Sequence, residues 1–305
     1  MARIPEQIFD LIDAEQLALL PSLEIRARAL VRGLYAGMHR SPFRGTNAEF
    51  KEFREYFRGD PVNDIDWKVY ARTNHLVIRL HEDSTDLGAA IFVDASKSMN
   101  FRDSGATLSK WDYAAALAAA CMLIFSGQKD RFSLMIPGRD KSFEKPSNTP
   151  AHLDNLLDKL RMKPEEKDFP LADALADAGA SLQHGAPVIL ISDFYFPPKD
   201  LEDIFMVLAA KRCTPLLFRI MTRSEYDFPY RDPVVMRDLE TNERLAFSPD
   251  TIRKEYREAL TNHIAGFDRL AAGCGGFHRI FLTDTLPLEA LGLLLSARRN
   301  GMGRR

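Results

Sequence analysis

The sequence predicts an α/β fold: a doubly wound, mostly parallel sheet with helices on both faces, preceded by a helical segment and interrupted by an inserted β-hairpin. Three observations lead there. From residue 89 onward, short apolar runs alternate with longer Ala-rich or amphipathic segments, the order expected of a parallel sheet assembled from strand and helix in turn. The runs 89–93 and 188–191 are apolar without interruption, as strands covered on both faces must be. Residues 222–248 break the alternation with two β-rich runs joined through Glu240-Thr241-Asn242-Glu243.

Each element has its own signal. Residues 6–38 carry Ile8, Leu11, Ile12, Leu19 and Leu20, then Leu23, Ile25, Ala27, Leu30, Val31 and Leu34 at helical spacing, and Pro21 divides them into two helices. Residues 39–47 hold the breakers of a loop, and Thr46 or Asn47 caps a helix in which Phe50, Phe53 and Phe57 share a face before Gly59 stops it. Leu76, Ile78 and Leu80 alternate with Val77, Arg79 and His81, the period of a half-exposed strand, and 83–86 turns the chain. Strand 89–93, helix 111–125 and strand 132–136 come next, then a short edge strand at 142–145 and helices at 151–160 and 171–183. Strand 188–191, helix 201–211 and strand 215–221 precede the hairpin of 234–237 and 244–247. Helix 250–272, stopped by Gly273-Cys274-Gly275-Gly276, strand 277–282 and helix 288–298 close the chain. Two parts result: a helical segment with its loop, residues 1–85, and a sheet domain, residues 86–305, with its insertion at 222–248.

Composition narrows the function classes. With 305 residues, 46% of them hydrophobic, the chain fills a sizeable core and is not disordered. Forty-one basic residues against 43 acidic ones leave a net charge of −2, so no overall field recruits nucleic acid or an anionic membrane. Cys121, Cys213 and Cys274 are far apart and odd in number, which speaks for buried thiols in a reducing compartment, not for a disulfide framework or a zinc cluster. Glu6, Asp10, Asp13 and Glu15 interrupt any signal-peptide pattern, and the longest uncharged apolar run, 113–125, falls short of the roughly 20 residues that cross a bilayer. The expectation is a soluble cytoplasmic protein without a membrane span.

The chemistry concentrates after the 89–93 strand, where Asp94, Ser96 and Ser98 stand at every second position. One carboxylate and two hydroxyls suit a hard cation such as Mg²⁺, which takes oxygen ligands and keeps waters. The same residue types also close polar turns through local bonds to the backbone. Topology favours the cation. In a doubly wound sheet, functional loops gather at the strands' carboxyl ends where strand order reverses. If strands 89–93 and 188–191 are neighbours there, Asp193 joins Asp94 on one rim; alone, Asp193 would cap the following helix. Upstream, Asp60, Asp64 and Asp66 lie close in sequence to Arg54, Arg58, Lys68 and Arg72 and read as an ion-paired network.

Asp94-x-Ser96-x-Ser98 behind an apolar strand resembles the metal-ion-dependent adhesion site of von Willebrand factor A domains. The block from Ser41-Pro-Phe-Arg-Gly45 through Glu49-Phe50, Arg54-Glu55-Tyr56, Gly59-Asp60 and Ile65-Asp66-Trp67-Lys68 to Ala71-Arg72 is similar to the bacterial family known as domain of unknown function 58. Asp238-Leu-Glu-Thr241 and Thr283-Asp284 extend the likeness over most of the chain. In that family such a block precedes a von Willebrand A-like domain of Rossmann-like architecture. The resemblance implies Mg²⁺, or Mn²⁺ or Ca²⁺, held directly by Ser96 and Ser98, with Asp94 and Asp193 acting through waters and an open position for a partner's carboxylate. It further implies an adaptor to a MoxR-type AAA+ ATPase in the assembly or maturation of a client protein that carries an acidic side chain. One departure stands out. The family pattern adds a threonine ligand near Asp168-Phe169-Pro170, yet no Ser or Thr occurs from Ala151 to Ala180. Either Asp168 or Glu166 takes that place, or the site binds metal weakly or not at all.

Catalytic readings fare less well. A strand ending in Asp is also how haloacid-dehalogenase-like phosphotransferases present an aspartyl nucleophile, and this is the alternative function, with Asp94 in that role. Such enzymes use a second acid two residues on, where this chain has Ser96, a poor general acid at neutral pH. Ser126-Gly-Gln-Lys129 falls at the end of an apolar helix without companion motifs, and no Gly-x-Ser-x-Gly, His-Glu-x-x-His or phosphate-binding Gly-x-x-x-x-Gly-Lys occurs. The sequence therefore predicts a non-enzymatic interaction module.

Overall fold

Period-2 and helical patterns become elements where burial supports them. The computed structural model describes residues 13–40, 53–55, 70, 77–79, 88–140, 142–162, 171–196, 198–239 and 242–301. Helix α1 (Ala14–Leu19) starts at a reciprocal cap in which Asp13 Oδ1 accepts from the Gln16 N–H at 2.8 Å. Pro21 ends it, and α2 (Leu23–Arg40) buries Ala27, Ala29, Leu30 and Leu34.

The aromatic stripe around Phe53 is not a helix there: Phe53–Glu55 is strand β1, paired antiparallel with β2 (Val77–Arg79) in the register Phe53↔Arg79. Aromatic residues serve strands as well as helices, and a ladder partner distant in sequence overrides local spacing. Phe50, Phe57 and Gly59 lie outside the described residues, as do the turn at 83–86 and the acids Asp60, Asp64 and Asp66.

The main sheet begins with β3 (Ala89–Val93), which leads through a 3₁₀ turn (Lys97–Asn100) to α3 (Lys110–Gly127) and β4 (Phe132–Met135). Then come α4 (Pro150–Arg161), α5 (Leu171–Gly179), β5 (Pro187–Ser192), α6 (Pro198–Ala210) and β6 (Thr214–Met221). A short α7 (Arg223–Asp227) precedes β7 (Val234–Arg237) and β8 (Arg244–Phe247); α8 (Pro249–Gly273), β9 (Phe277–Leu282) and α9 (Leu288–Gly301) complete the order. The five strands lie in the order β4-β3-β5-β6-β9, and every pairing is parallel. The chain starts in the interior, steps outward to β4 and returns past β3 to β5, so strand order reverses between β3 and β5.

Side-chain alternation sends the two faces into two cores. Ile91 and Val93 join α1, α2, α3, α4 and α9, whereas Ala90 and Phe92 join α5, α6 and α8. α3 is buried on nearly all sides, from Tyr113 through Met122, because the sheet covers its inner face while α2, α4 and α9 cover the outer one. That position explains its alanine run: small side chains admit helices and sheet at close range. The hairpin forms a sheet of its own and is fixed through Phe228, which stacks on Phe247 and on Tyr256 at 6.4 and 4.7 Å.

Two boundaries differ from expectation. No strand forms at 142–145; Phe132 instead makes an isolated antiparallel bridge to Ser147, and the intervening Pro146 offers no N–H to a ladder. The helix expected to reach residue 183 ends at Gly179, although Leu182 still packs into the same core. Among the described residues no helix is long and apolar enough to cross a membrane.

Gly276 stands where the chain passes close to the Pro215 backbone. A Cβ there would lie 1.8 Å from the Pro215 carbonyl oxygen, on backbone that cannot swing aside, whereas one on Gly127 meets nothing within 4 Å. Gly276→Ala is expected to lower unfolding free energy by about 2 kcal/mol or more in urea titrations, and Gly127→Ala by less than about 0.5 kcal/mol. Equal effects of the two would contradict the packing at β6 and β9.

Candidate functional site

The reversal between β3 and β5 brings two acidic loop starts together. The Asp94 N–H extends the ladder by bonding the Ile191 carbonyl at 2.9 Å, so the residue is placed by the sheet itself. Its Oδ1 accepts from the Ser96 N–H at 2.8 Å and its Oδ2 from the Ser192 hydroxyl at 2.5 Å. Ser192 Oγ in turn accepts from the Phe194 N–H at 2.8 Å. The hydroxyls of Ser96 and Ser98 face each other at 3.0 Å, at the start of a 3₁₀ turn anchored by the fully buried Met99. Among the described residues, these donors to Asp94 are neutral. Burial first, and then the neighbouring Asp193 charge, push its carboxyl up to about 6 against the opposing effect of the Ser192 and Ser96 bonds.

Asp193 has found a different counter-ion. Its Oδ2 accepts from Lys110 Nζ at 2.7 Å and its Oδ1 from the Tyr195 N–H at 3.2 Å. Lys110 Nζ also donates to Glu225 Oε1 at 2.7 Å, and the side chains of Lys110 and Asp193 are 1% and 2% exposed. Burial disfavours the ammonium, but the charges of Asp193 and Glu225 more than offset that and hold its pKa above the usual lysine range. Glu225 is itself fixed, because its Oε2 accepts from the Thr222 N–H and hydroxyl at 2.7 and 2.9 Å in the cap of α7. Asp103 bonds Ser224 and closes the 101–109 loop over this corner.

Beneath the rim lies a second buried cation. Arg219 of β6, opposite Ser192 in the ladder, donates from NH1 to the Asp193 carbonyl at 2.9 Å and from Nε to His278 Nε2 at 3.1 Å. It rests over Phe267 and Phe194 at 4.7 and 5.3 Å, and burial lowers its pKa to about 10. Since Arg219 only donates, His278 must accept at Nε2 and donate from Nδ1 to Asp268, 2.9 Å away. Burial, and then Arg219, lower the His278 pKa to about 4, which keeps that neutral tautomer.

Of the residues singled out in the sequence, Asp94, Ser96, Ser98 and Asp193 stand on this rim; Asp168 and Glu166 lie outside the described residues. Lys110, Glu225, Ser192 and Arg219 were not anticipated. One of them left a signal: Ser109-Lys-Trp-Asp112 is a capping motif with lysine in the first helical turn, where the helix dipole opposes a cation. The oxygens offered to a cation are the two hydroxyls and Asp94. Their set suits Mg²⁺, because an octahedron with metal–oxygen distances of about 2.0–2.1 Å has an edge near 2.9 Å, close to the 3.0 Å between Ser96 Oγ and Ser98 Oγ. Among the described residues no group of three or more His, Cys, Asp or Glu side chains is placed to hold a metal, so such a site would depend on hydroxyls.

The buried Asp94 charge has a stability signature. The folded state keeps the Asp94 proton up to about pH 6, where the unfolded chain has released it, so the charge lowers stability progressively as pH rises through that window. Asp94→Asn in metal-free buffer is expected to be more stable than the wild type by on the order of 1–3 kcal/mol at about pH 8. The difference should fade towards about pH 4, and urea midpoints at both pH values measure it. A variant less stable than wild type at the higher pH would show that Asp94 is held for the fold.

Comparison with known proteins identifies the family. The family model described as "Protein of unknown function DUF58" matches residues 52–266. The uncharacterized proteins Mb1516 of Mycobacterium bovis and Rv1480 of Mycobacterium tuberculosis are each 27% identical over 297 residues, covering 96% of this chain and 92% of their own. Similar solved structures include the conserved hypothetical protein BatB from Bacteroides thetaiotaomicron, 11% identical over 70% of this chain and 100% of its own, with a TM-score of 0.45. Another is the SpRpn10 VWA domain, 11% identical over 72% of this chain and 98% of its own, with a TM-score of 0.38. With a family model spanning well over half of its length, the chain belongs to the DUF58 family.

Proposed function

We propose that this protein is a non-enzymatic interaction module of von Willebrand A-like type, which recognises an acidic side chain of a partner protein through a divalent cation at the β3 rim. The observation that carries the reading is the pair of hydroxyls, Ser96 and Ser98, 3.0 Å apart beside a buried carboxylate whose hydrogen-bond donors among the described residues are neutral. Those three residues would hold Mg²⁺, with Mn²⁺ or Ca²⁺ as the other candidates and Asp168 as a candidate for the place of the missing threonine. When bound, the cation would supply an under-compensated positive charge, since hydroxyl ligands are neutral, and an exchangeable position for a carboxylate. The protein's own part is to pre-form the loop: β3 places Asp94, Ser192 orients its carboxylate, and Met99 pins the turn that aims the hydroxyls.

The wider role in this reading is an adaptor that brings a client protein to a MoxR-type AAA+ ATPase, as the resemblance to the family implies. Isothermal titration with Mg²⁺ or Mn²⁺ is expected to give binding that Asp94→Ala abolishes, and capture of the ATPase from solution should weaken in parallel with Asp94→Ala and with EDTA. Capture unchanged by both treatments would overturn cation-mediated recognition.

A further inference from the structure

We infer that Lys110 is the permanent counter-ion of Asp193 and keeps this carboxylate out of the ligand set of any cation bound at Asp94, Ser96 and Ser98. This deepens the cation reading above and rests on it for the identity of those three ligands.

The geometry is specific. Lys110 Nζ lies 2.7 Å from both Asp193 Oδ2 and Glu225 Oε1, with the Tyr195 and Phe101 rings 5.4 and 5.8 Å away. The rings and carboxylates shut water away from the ammonium, as its 1% exposure shows. A lysine in the first turn of a helix sits against the dipole, and a buried one sits against desolvation. Only paired carboxylates hold it there. Neither carboxylate is free to leave. Asp193 is committed through both oxygens, to Lys110 and to the Tyr195 N–H, and its carbonyl is held by Arg219; Glu225 is committed to Lys110 and to the α7 cap. Drawing Asp193 to a metal would break a buried ion pair and leave the ammonium with one of its two carboxylate partners. The two acids on the rim therefore divide the work: Asp94, whose donors are neutral, faces the hydroxyl pair, while Asp193 serves the lysine. Lys110 then sets the affinity of the rim for a divalent cation, because it removes one carboxylate from the available set.

Titration of the full chain with MgCl₂ and MnCl₂ tests this in four forms: wild type, Asp193→Asn, Lys110→Met and the double variant. Asp193→Asn is expected to bind within about threefold of wild type, whereas Lys110→Met, with Asp193 released, should bind at least about tenfold tighter. The gain should vanish in the double variant and be absent in Lys110→Arg, which keeps the charge. A tenfold or greater loss in Asp193→Asn overturns the inference and leaves the cation reading standing. A silent wild type with a Lys110→Met chain that binds through Asp193 removes the cation reading and upholds the role of Lys110. No gain on neutralising Lys110 overturns it. Circular dichroism checks the fold of each form, and Lys110→Gln replaces Lys110→Met if the latter does not fold.

Discussion

A positive charge sits where burial and a helix dipole both oppose it, and two carboxylates 2.7 Å away keep it there: the Lys110 ammonium between Asp193 and Glu225. The carboxyl-end rim depends on this triad. Its members come from the start of α3, the end of β5 and the short helix after β6, so one cluster ties three strand-to-helix connections together. Removing one partner of such a cluster commonly costs about 3–5 kcal/mol, because the others remain charged and buried. The triad also orders its surroundings. Thr222 and Glu225 cap α7 by the same bonds that position Glu225 for Lys110, and Asp103 fastens the preceding loop to Ser224.

The rim sits on a sheet whose topology leaves little freedom. β3 and β5 are adjacent and parallel with Val93 opposite Ile191, so the residues that follow them leave the sheet side by side. Their helices depart to opposite faces, and the crevice between them opens where strand order reverses. Below it, Ile91 and Val93 face one core and Ala90 and Phe92 the other, which holds the strand rigid from both sides. Arg219 adds a polar floor. It braces the Asp193 carbonyl against Phe267 and His278, and through them against α8 and β9, while its second terminal nitrogen has no hydrogen-bond partner among the described residues.

The two acids of the rim differ in the charge of their partners. Asp193 shares the Lys110 ammonium with Glu225. Among the described residues, the buried Asp94 carboxylate accepts from neutral donors, and the Ser96 and Ser98 hydroxyls lie 3.0 Å apart beside it. A carboxylate buried among neutral donors is a local cost to stability. The hairpin and α8 flank this region through Phe228 and Tyr256, and the Tyr256 hydroxyl donates to the Glu225 carbonyl, which links α8 to the rim.

Much of this was legible in the sequence, because strand and helix periods are local. The uninterrupted apolar runs, the alternation after residue 89, the hairpin and the placement of Asp94, Ser96, Ser98 and Asp193 at strand ends all follow from patterns a few residues long. Phe53 shows the limit: its helical spacing was genuine, but pairing with Arg79 made it a strand. The triad lies beyond that limit altogether. Lys110 meets Asp193 across 83 residues and Glu225 across 115, and nothing in the spacing of any segment distinguishes that lysine from a solvated one except its place in a helix cap. The sequence by itself determined the sheet, its faces and the acids on its rim; only the tertiary structure decided which acid is neutralised by the protein's own lysine and which is left facing the hydroxyls, because charge compensation acts through space between chain segments that folding alone brings within hydrogen-bond range.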